Sequence, residues 1–241
     1  MLVYNIHAGK DAVGADNLER VAAIIRDAKA DIALLQEVDR GTQRSGRTDQ
    51  PAVLARSTAL HVAFGSALDY QGGKYGVAIL SRWPIVAETL IHLPVNPPQQ
   101  RAGGSYEPRG ALRVTIARNA GPVVVVNTHL DASREDVWRR QEIRTIMAIV
   151  DTALRGTDGP VLVGGDFNST PDSDVQRILR SSGLRDSWLE CGRGDGFSYP
   201  ADSSFKRIDY LYQTRGSRCI EARVVATDAS DHRPVLFILR L

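Results

Sequence analysis

A helix-covered sandwich of β-sheets, in the α/β or α+β range, is predicted by three features of the sequence. Short apolar runs of strand length recur from end to end, a few stretches of helical periodicity separate them, and no repeat or biased segment points elsewhere. The chain has 241 residues, of which 43% are hydrophobic and 24% charged. That composition is ordinary for a globular protein and excludes disorder, collagen-like repeats and coiled coil. A chain of this size buries roughly 70–75% of its unfolded surface, and with no low-complexity block between two halves, residues 1–241 read as one domain.

The elements follow in order. Met1 to Asn5 enters a strand-like run at once. Asp16 or Asn17 can cap a helix whose Leu18, Val21, Ile25 and Ala28 keep helical spacing, and Asp31 to Val38 reads as a short buried strand. Gly41 to Gln50 is rich in Arg, Ser, Gly and Thr and reads as a loop whose polar residues face solvent or substrate, followed by a helix from about Pro51 to Leu60. Gly76 to Leu80 is a strand that stops at Ser81-Arg82-Trp83-Pro84. Leu93 to Pro108 reads as a long loop, and long loops in compact domains tend to be functional. Strands are expected at Ala111–Ala117, Pro122–Asn127 and Val161–Gly164. Trp138, Ile146, Ile149 and Ala153 mark the apolar face of a helix, and a second, shorter helix spans Asp172 to Arg180. The chain ends in strands at Ile208–Tyr212, Ala222–Val225 and Val235–Leu239. Trp83, Trp138 and Trp188 are expected in or near the core.

With 30 Lys+Arg against 28 Asp+Glu, the net charge of +2 commits the chain to no polyanion. The window Arg101 to Arg118 holds four Arg against one Glu, a local +3 that could face one. No apolar run approaches the ~20 residues of a membrane helix, so no transmembrane segment is expected. The N-terminus lacks a signal-peptide pattern, which reads as a soluble protein, cytoplasmic or secreted with its leader removed. Cys191 and Cys219 have no zinc spacing; they read as structural thiols, with a disulfide the lesser alternative.

Polar residues gather at the ends of the apolar runs, where a sheet protein can bring distant side chains into one cleft. They are Asn5 in Tyr4-Asn5-Ile6-His7, Glu37 in Leu34-Leu35-Gln36-Glu37-Val38, and His129 in Asn127-Thr128-His129-Leu130. Asp166 and Asn168 lie in Gly164-Gly165-Asp166-Phe167-Asn168, Asp209 in Arg207-Ile208-Asp209-Tyr210, and Asp231-His232 in Ser230-Asp231-His232-Arg233-Pro234. Carboxylates such as Glu37 and Asp231 with amide oxygens suit Mg²⁺ or Mn²⁺, which prefer oxygen ligands. Beside such an ion, an acid or base completes the requirements of phosphoester hydrolysis. Gly72-Gly73 and Gly164-Gly165 lack dinucleotide or Walker-loop spacing and read as tight turns or close strand contacts. Without a Gly-x-Ser-x-Gly elbow, Ser230 is no hydrolase nucleophile.

These motifs, in this order from Tyr4 to Pro234, resemble the endonuclease/exonuclease/phosphatase superfamily of deoxyribonuclease I-like metal-dependent hydrolases. The segments Arg44 to Gln50 and Gln71 to Gly76 resemble an uncharacterised bacterial branch of it. The resemblance implies an α/β four-layer sandwich, two packed mixed β-sheets flanked by helices, with the active site at one edge. It implies Glu37 as the principal metal ligand, with Asp231 and Asn5 completing the surroundings of Mg²⁺ or Mn²⁺. Asp166 corresponds to the carboxylate that positions or deprotonates the attacking water, and Asn168 to the amide that holds a phosphate oxygen. His232 with Asp209 corresponds to the His-Asp couple, and His129 to a second histidine, or a tyrosine in some relatives, near the leaving oxygen or phosphate. Arg109 is expected as a phosphate clamp, since a guanidinium can grip two oxygens. His7 stands where some relatives carry a metal-binding Asp, and the residues before Asp209 lack the Trp-Cys-Asp-Arg pattern of inositol polyphosphate 5-phosphatases.

The expected function is divalent-metal-dependent phosphoester hydrolysis, foremost of a phosphodiester, by in-line attack of water. The substrate could be a nucleic acid, a small phosphodiester or a lipid head group, and no obligate protein partner is called for. The alternative is a non-catalytic binding module on the same fold.

Overall fold

Side chains alternate across a strand, so each strand sorts its apolar residues between two faces. In the computed structural model, which describes residues 1–241, the sorting builds three apolar layers. Val3, Leu34, Ile79, Val114, Val125 and Leu162 share one buried cluster. Their strand neighbours Leu2, Tyr4, Ala33 and Leu35 point the other way, against Val21 and Ile25 of a helix. Val124, Val126 and Val163 do the same against Ile143 and Ile146 of another helix. The result is two mixed sheets packed face to face with helices outside.

In chain order the elements are β1 (Leu2–Asn5), α1 (Leu18–Asp27), β2 (Ile32–Arg40), α2 (Gln50–Thr58), β3 (His61–Tyr70), β4 (Gly73–Ser81), β5 (Ile85–His92), β6 (Gly110–Ile116) and β7 (Val123–His129). Then come α3 (Val137–Gly156), β8 (Val161–Asp166), α4 (Asp174–Ser181), β9 (Arg185–Asp186), α5 (Ser187–Cys191), β10 (Asp209–Gln213), β11 (Arg218–Val224) and β12 (Val235–Arg240). One sheet has the order β11-β12-β1-β2-β4-β3 and the other β5-β6-β7-β8-β10-β9. The pairs β1·β2 and β7·β8 are parallel and the remaining ladders antiparallel. No helix is long and apolar enough to cross a membrane.

Two features of the ladders set up one end of the sandwich. Between Leu35 and Val38 the β2·β4 register slips by one residue, a bulge that carries Gln36 and Glu37. Glu37 there adopts φ 54°, a left-handed conformation that an L side chain enters at a cost. In the other sheet, a Cβ on Gly165 would stand 1.8 Å from the Thr128 carbonyl oxygen. Only glycine lets β8 approach β7 so closely, and the resulting register puts His129 beside Asp166 and Asp166 beside Asp209.

The structure departs from the sequence reading in several places. Segments 61–70 and 85–92 are strands, both at sheet edges, and β5 is largely exposed, so neither shows a buried run. The polar loop after β2 does not simply face water: Arg44 packs over Tyr70 and Tyr75 and makes two hydrogen bonds to the fully buried Asp39. Trp188 is buried and Trp83 flanks the inter-sheet core, but Trp138 is half-buried and meets Tyr106 edge-on at 6.3 Å.

Cys191 and Cys219 are joined in a disulfide, Cα atoms 5.7 Å apart, where free thiols were expected. The reason is tertiary: α5 packs on β11, which brings the ends of a 28-residue separation together. The bridge ties down the base of the segment that runs from α5 to β10. A Cys191→Ser/Cys219→Ser variant is expected to lose about 2–4 kcal/mol in urea unfolding, the usual worth of such a cross-link. The parent protein should show no thiol reactive with Ellman's reagent until reduced, and two reactive thiols or an equally stable variant would count against the bridge.

Candidate active site

The carboxyl ends of the two parallel pairs open at the same end of the sandwich. β1 delivers Asn5, β7 delivers His129 and β8 delivers Asp166. β10 runs antiparallel and therefore begins there, with Asp209 paired to Asp166. Asn168 follows β8 at φ 45°, and Asp231 and His232 lie in the turn before β12.

Asp166 is the hub. Its Oδ2 accepts from Asn5 Nδ2 at 3.1 Å and lies 3.5 Å from His129 Nε2 and 3.6 Å from His232 Nε2, while Oδ1 accepts from the Asn168 backbone N–H at 2.9 Å. Asn5 Nδ2 also donates to Glu37 Oε1 at 3.1 Å, so one amide bridges the two carboxylates. Asp209 Oδ2 contacts His232 Nδ1 at 2.9 Å and accepts from Ser198 Oγ at 2.6 Å. Ser230 Oγ holds the turn by donating to the Asn5 carbonyl at 2.8 Å. Tyr199 stacks obliquely on His232 with ring centroids 4.7 Å apart. His7 Nδ1 stands 3.9 Å from Asp231 Oδ1, at the margin of the group.

Burial and neighbouring charge give these groups different proton affinities. Burial pushes Asp166 up to about 7, against the pull of the His232 charge. Burial alone would lower His232, but Asp209 and Asp166 outweigh it and raise the imidazolium to about 10. His129 is held well below an ordinary histidine by burial, then by Arg109 and His232. The cleft therefore contains one charged and one neutral imidazole at neutral pH.

All nine residues expected at the site lie at this end of the fold. Eight of them meet directly or through one neighbour: Asn5, Glu37, His129, Asp166, Asn168, Asp209, His232 and Arg109. Asp231 joins through Ser230 Oγ, 3.2 Å away. A cleft of about 610 Å³ is lined by Glu37, Arg109, His129, Asp166, Asp231 and His232 among others. Arg109, however, is 3% exposed, and its Nη1 lies 2.6 Å from both Glu107 Oε1 and His129 Nδ1. The arginines of the 101–118 window also part company: Arg109 is at the cleft, while Arg118 packs on Trp83 beyond the far end of β6.

Sequence reasoning missed Glu107, Ser198 and Tyr199. Glu107 stands two residues before Arg109 in the irregular segment that leads into β6, where no strand or helix period relates the two side chains. Ser198 and Tyr199 sit in an irregular segment with no periodicity to read.

A profile of the "Endonuclease/Exonuclease/phosphatase family" matches residues 2–232. The chain belongs to this family. The endonuclease/exonuclease/phosphatase protein of Beutenbergia cavernae DSM 12333 superposes with TM-score 0.84 at 26% identity, over 100% of this chain and 70% of that one. Among sequence relatives, the uncharacterized protein YbhP of Escherichia coli K12 is 24% identical over 98% of this chain and 93% of its own length. Human protein angel homolog 1 is 28% identical over 64% of this chain, which spans only 22% of that protein. Family members are hydrolases that generally depend on a divalent metal. The donor chemistry here suits a hard ion: Glu37, Asp231 and Asp166 all line the cleft with carboxylates, and the Asn5 amide links Glu37 to Asp166. Asp166, Asp209 and His232 also lie close enough to share an ion, but the Asp209 oxygen that faces the ring already takes His232 and Ser198.

The cleft wall after β7 rests on a further buried acid. Glu142 of α3 accepts from the Asp131 backbone N–H at 2.9 Å, and burial raises its carboxyl to about 7. A carboxyl raised on folding contributes stability that is complete below its unfolded pKa and is lost as pH climbs through the folded value. From pH 5 to 8 the parent should therefore lose stability relative to Glu142→Gln, on the order of 2–3 kcal/mol. Parallel unfolding curves for the two proteins across that range would refute the assignment.

Proposed function

We propose that this chain hydrolyses phosphoesters, phosphodiesters foremost, by in-line attack of water on phosphorus. The observation that carries the reading is the convergence of Asp166 with Asn5, His129 and His232–Asp209 in the cleft that Glu37 and Asp231 enter. Asp166, with a proton affinity near neutrality, orients the water and accepts its proton. His232, cationic and oriented by Asp209, faces the phosphoryl group and stabilises negative charge or returns the proton. Asn168 and His129 offer donors to a phosphoryl oxygen. Glu37 and Asp231, with Asn5, would hold Mg²⁺ or Mn²⁺, which when bound supplies Lewis-acid stabilisation of phosphoryl and leaving oxygens.

Nucleic acids, small phosphodiesters and lipid head groups are the candidate substrates. The dispersal of the Arg101–Arg118 charges removes the main support for an extended polyanion track. The Cys191–Cys219 bridge supports a compartment oxidising enough to keep it closed.

Bis(p-nitrophenyl) phosphate, plasmid and single-stranded DNA, RNA, cyclic nucleotides and phospholipid head groups, each assayed with Mg²⁺ or Mn²⁺ and with EDTA, form the test. Metal-dependent turnover is expected on at least one diester, and Asp166→Ala or His232→Ala should lower it by at least ~10²-fold without unfolding the protein. No turnover on any of them would favour a non-catalytic module. Glu37→Gln should chiefly raise the Mg²⁺ or Mn²⁺ concentration needed for half-maximal activity, so an unchanged metal titration would remove Glu37 from the ligand set.

A further inference from the structure

Arg109 is buried in the wall of the cleft between an acid and an imidazole. Its Nη1 lies 2.6 Å from Glu107 Oε1 and 2.6 Å from His129 Nδ1. Glu107 and Arg109 are both almost entirely shielded from water, and Glu107 also takes the Gly103 backbone N–H. A guanidinium keeps its protons and has no lone pair to offer, so in the contact with His129 it can only donate. Nδ1 is then the acceptor and carries no hydrogen. A neutral imidazole has one N–H, which leaves that hydrogen on Nε2.

The other side of the ring then acquires a defined polarity. Nε2 faces Asp166 Oδ2 at 3.5 Å and Asn168 Nδ2 at 3.1 Å, and the same Asn168 nitrogen donates one hydrogen to the Leu130 carbonyl at 2.9 Å. With Nε2 protonated, the 3.1 Å approach to Asn168 is between two donors. Neither can satisfy the other, so the Nε2–H and the second Asn168 amide hydrogen are both left for an acceptor that approaches the pair. We propose that Glu107 and Arg109 are positioning residues that lock His129 as a neutral Nε2–H donor, and that this lock fixes the hydrogen with which His129 joins Asn168 as a donor pair in the reading above. Arg109 thus acts through His129 and not as a clamp on phosphate, and the donor-pair half of the inference rests on the phosphoester reading above.

Proton affinities agree with the geometry. Burial first, and then the charges of Arg109 and His232, keep His129 well below the ordinary histidine value. Glu107 lies against the buried guanidinium; burial pushes its carboxyl up to about 7, against the pull of the Arg109 charge, so the pair shares the burden of charge buried beside the imidazole. The contrast with His232, whose Nδ1 faces a carboxylate, is one of partner only.

The test reads the tautomer directly and needs no substrate. In a long-range ¹H–¹⁵N correlation spectrum of the uniformly labelled protein at neutral pH, the imidazole that disappears in His129→Gln should show a protonated Nε2 and a bare Nδ1. In Arg109→Met that pattern should be lost, with turnover falling about tenfold to a hundredfold, the usual effect of removing the partner that orients a histidine. Because Arg109→Met leaves Glu107 without a counter-charge, Glu107→Gln/Arg109→Met is read in its place if the single variant does not fold. A parent ring with its proton on Nδ1, or protonated on both nitrogens, would overturn the lock, as would a variant that keeps the parent pattern. Absence of phosphoester turnover in the parent would instead defeat the functional reading and the donor pair, leaving the tautomer to be decided by the spectrum.

Discussion

One buried amide joins the two sheets directly beneath the cleft. Asn127 of β7 donates through Nδ2 to the Leu35 and Ala78 carbonyls of the facing sheet and accepts through Oδ1 from Gln36 Nε2 at 2.7 Å. These atoms surround the slip in the β2·β4 ladder at which Glu37 takes its left-handed backbone. Such a conformation costs about 1–3 kcal/mol and persists only where its surroundings over-determine it. The amide does so from across the core. Buried polar groups of this kind forfeit about 1–3 kcal/mol each when a partner is lost, so slippage of one sheet on the other would break three hydrogen bonds together. An apolar core would resist separation of the sheets but not sliding; the Asn127 contacts resist sliding, and they fix Glu37 relative to the residues that follow β7 and β8.

From that fixed point, the site is a matter of register. β7, β8 and β10 are neighbours, and their pairing lines up His129, Asp166 and Asp209 in one row. Adjacent strands in a sheet lie about 4.8 Å apart, so three ionisable side chains are held in contact by backbone hydrogen bonds and need no flexible segment to assemble them. Electrostatics then divides the work. The two imidazoles are of one residue type and similarly buried, yet Asp209 raises the affinity of His232 for its proton while Arg109 lowers that of His129. Pairs of titratable groups driven apart by their environments are how acid and base roles are separated at a single pH.

The sequence disclosed those parts of the molecule whose physics is local. The inward strands β1, β2, β7 and β8 are apolar on both faces and read as uninterrupted runs, and the polar residues that end them stood out against that background. The edge strands β3 and β5 were not legible, because a strand with one partner and an exposed face has little apolar pattern; β5 is mostly open to water. Glu107 and Ser198 were missed for a different reason. Each acts on a residue whose own motif was plain, Arg109 and Asp209, but the contacts depend on how an irregular segment folds back, and no spacing rule covers that. The disulfide belongs to the same class: Cys191 and Cys219 meet because α5 packs on β11, a fact of tertiary structure alone.

Charge runs are the clearest case of a local pattern that three dimensions redistribute. Arg101, Arg109, Arg113 and Arg118 form a basic window when counted along the chain, but only Arg113 lies in β6, and the strand, rising about 3.2–3.4 Å per residue, separates Arg109 before it from Arg118 beyond it. Arg109 ends in the wall of the cleft, paired with Glu107. Arg113 lies within β6, paired with Thr89 and Val126. Arg118 lies beyond the strand's other end, over the Trp83 ring at 5.8 Å. A window of charge becomes a surface only when the segment runs along that surface or coils so that the charges share a face. A strand crossing a sheet from one end to the other does neither, and the same extended chain that scatters these arginines is what delivers one of them to His129.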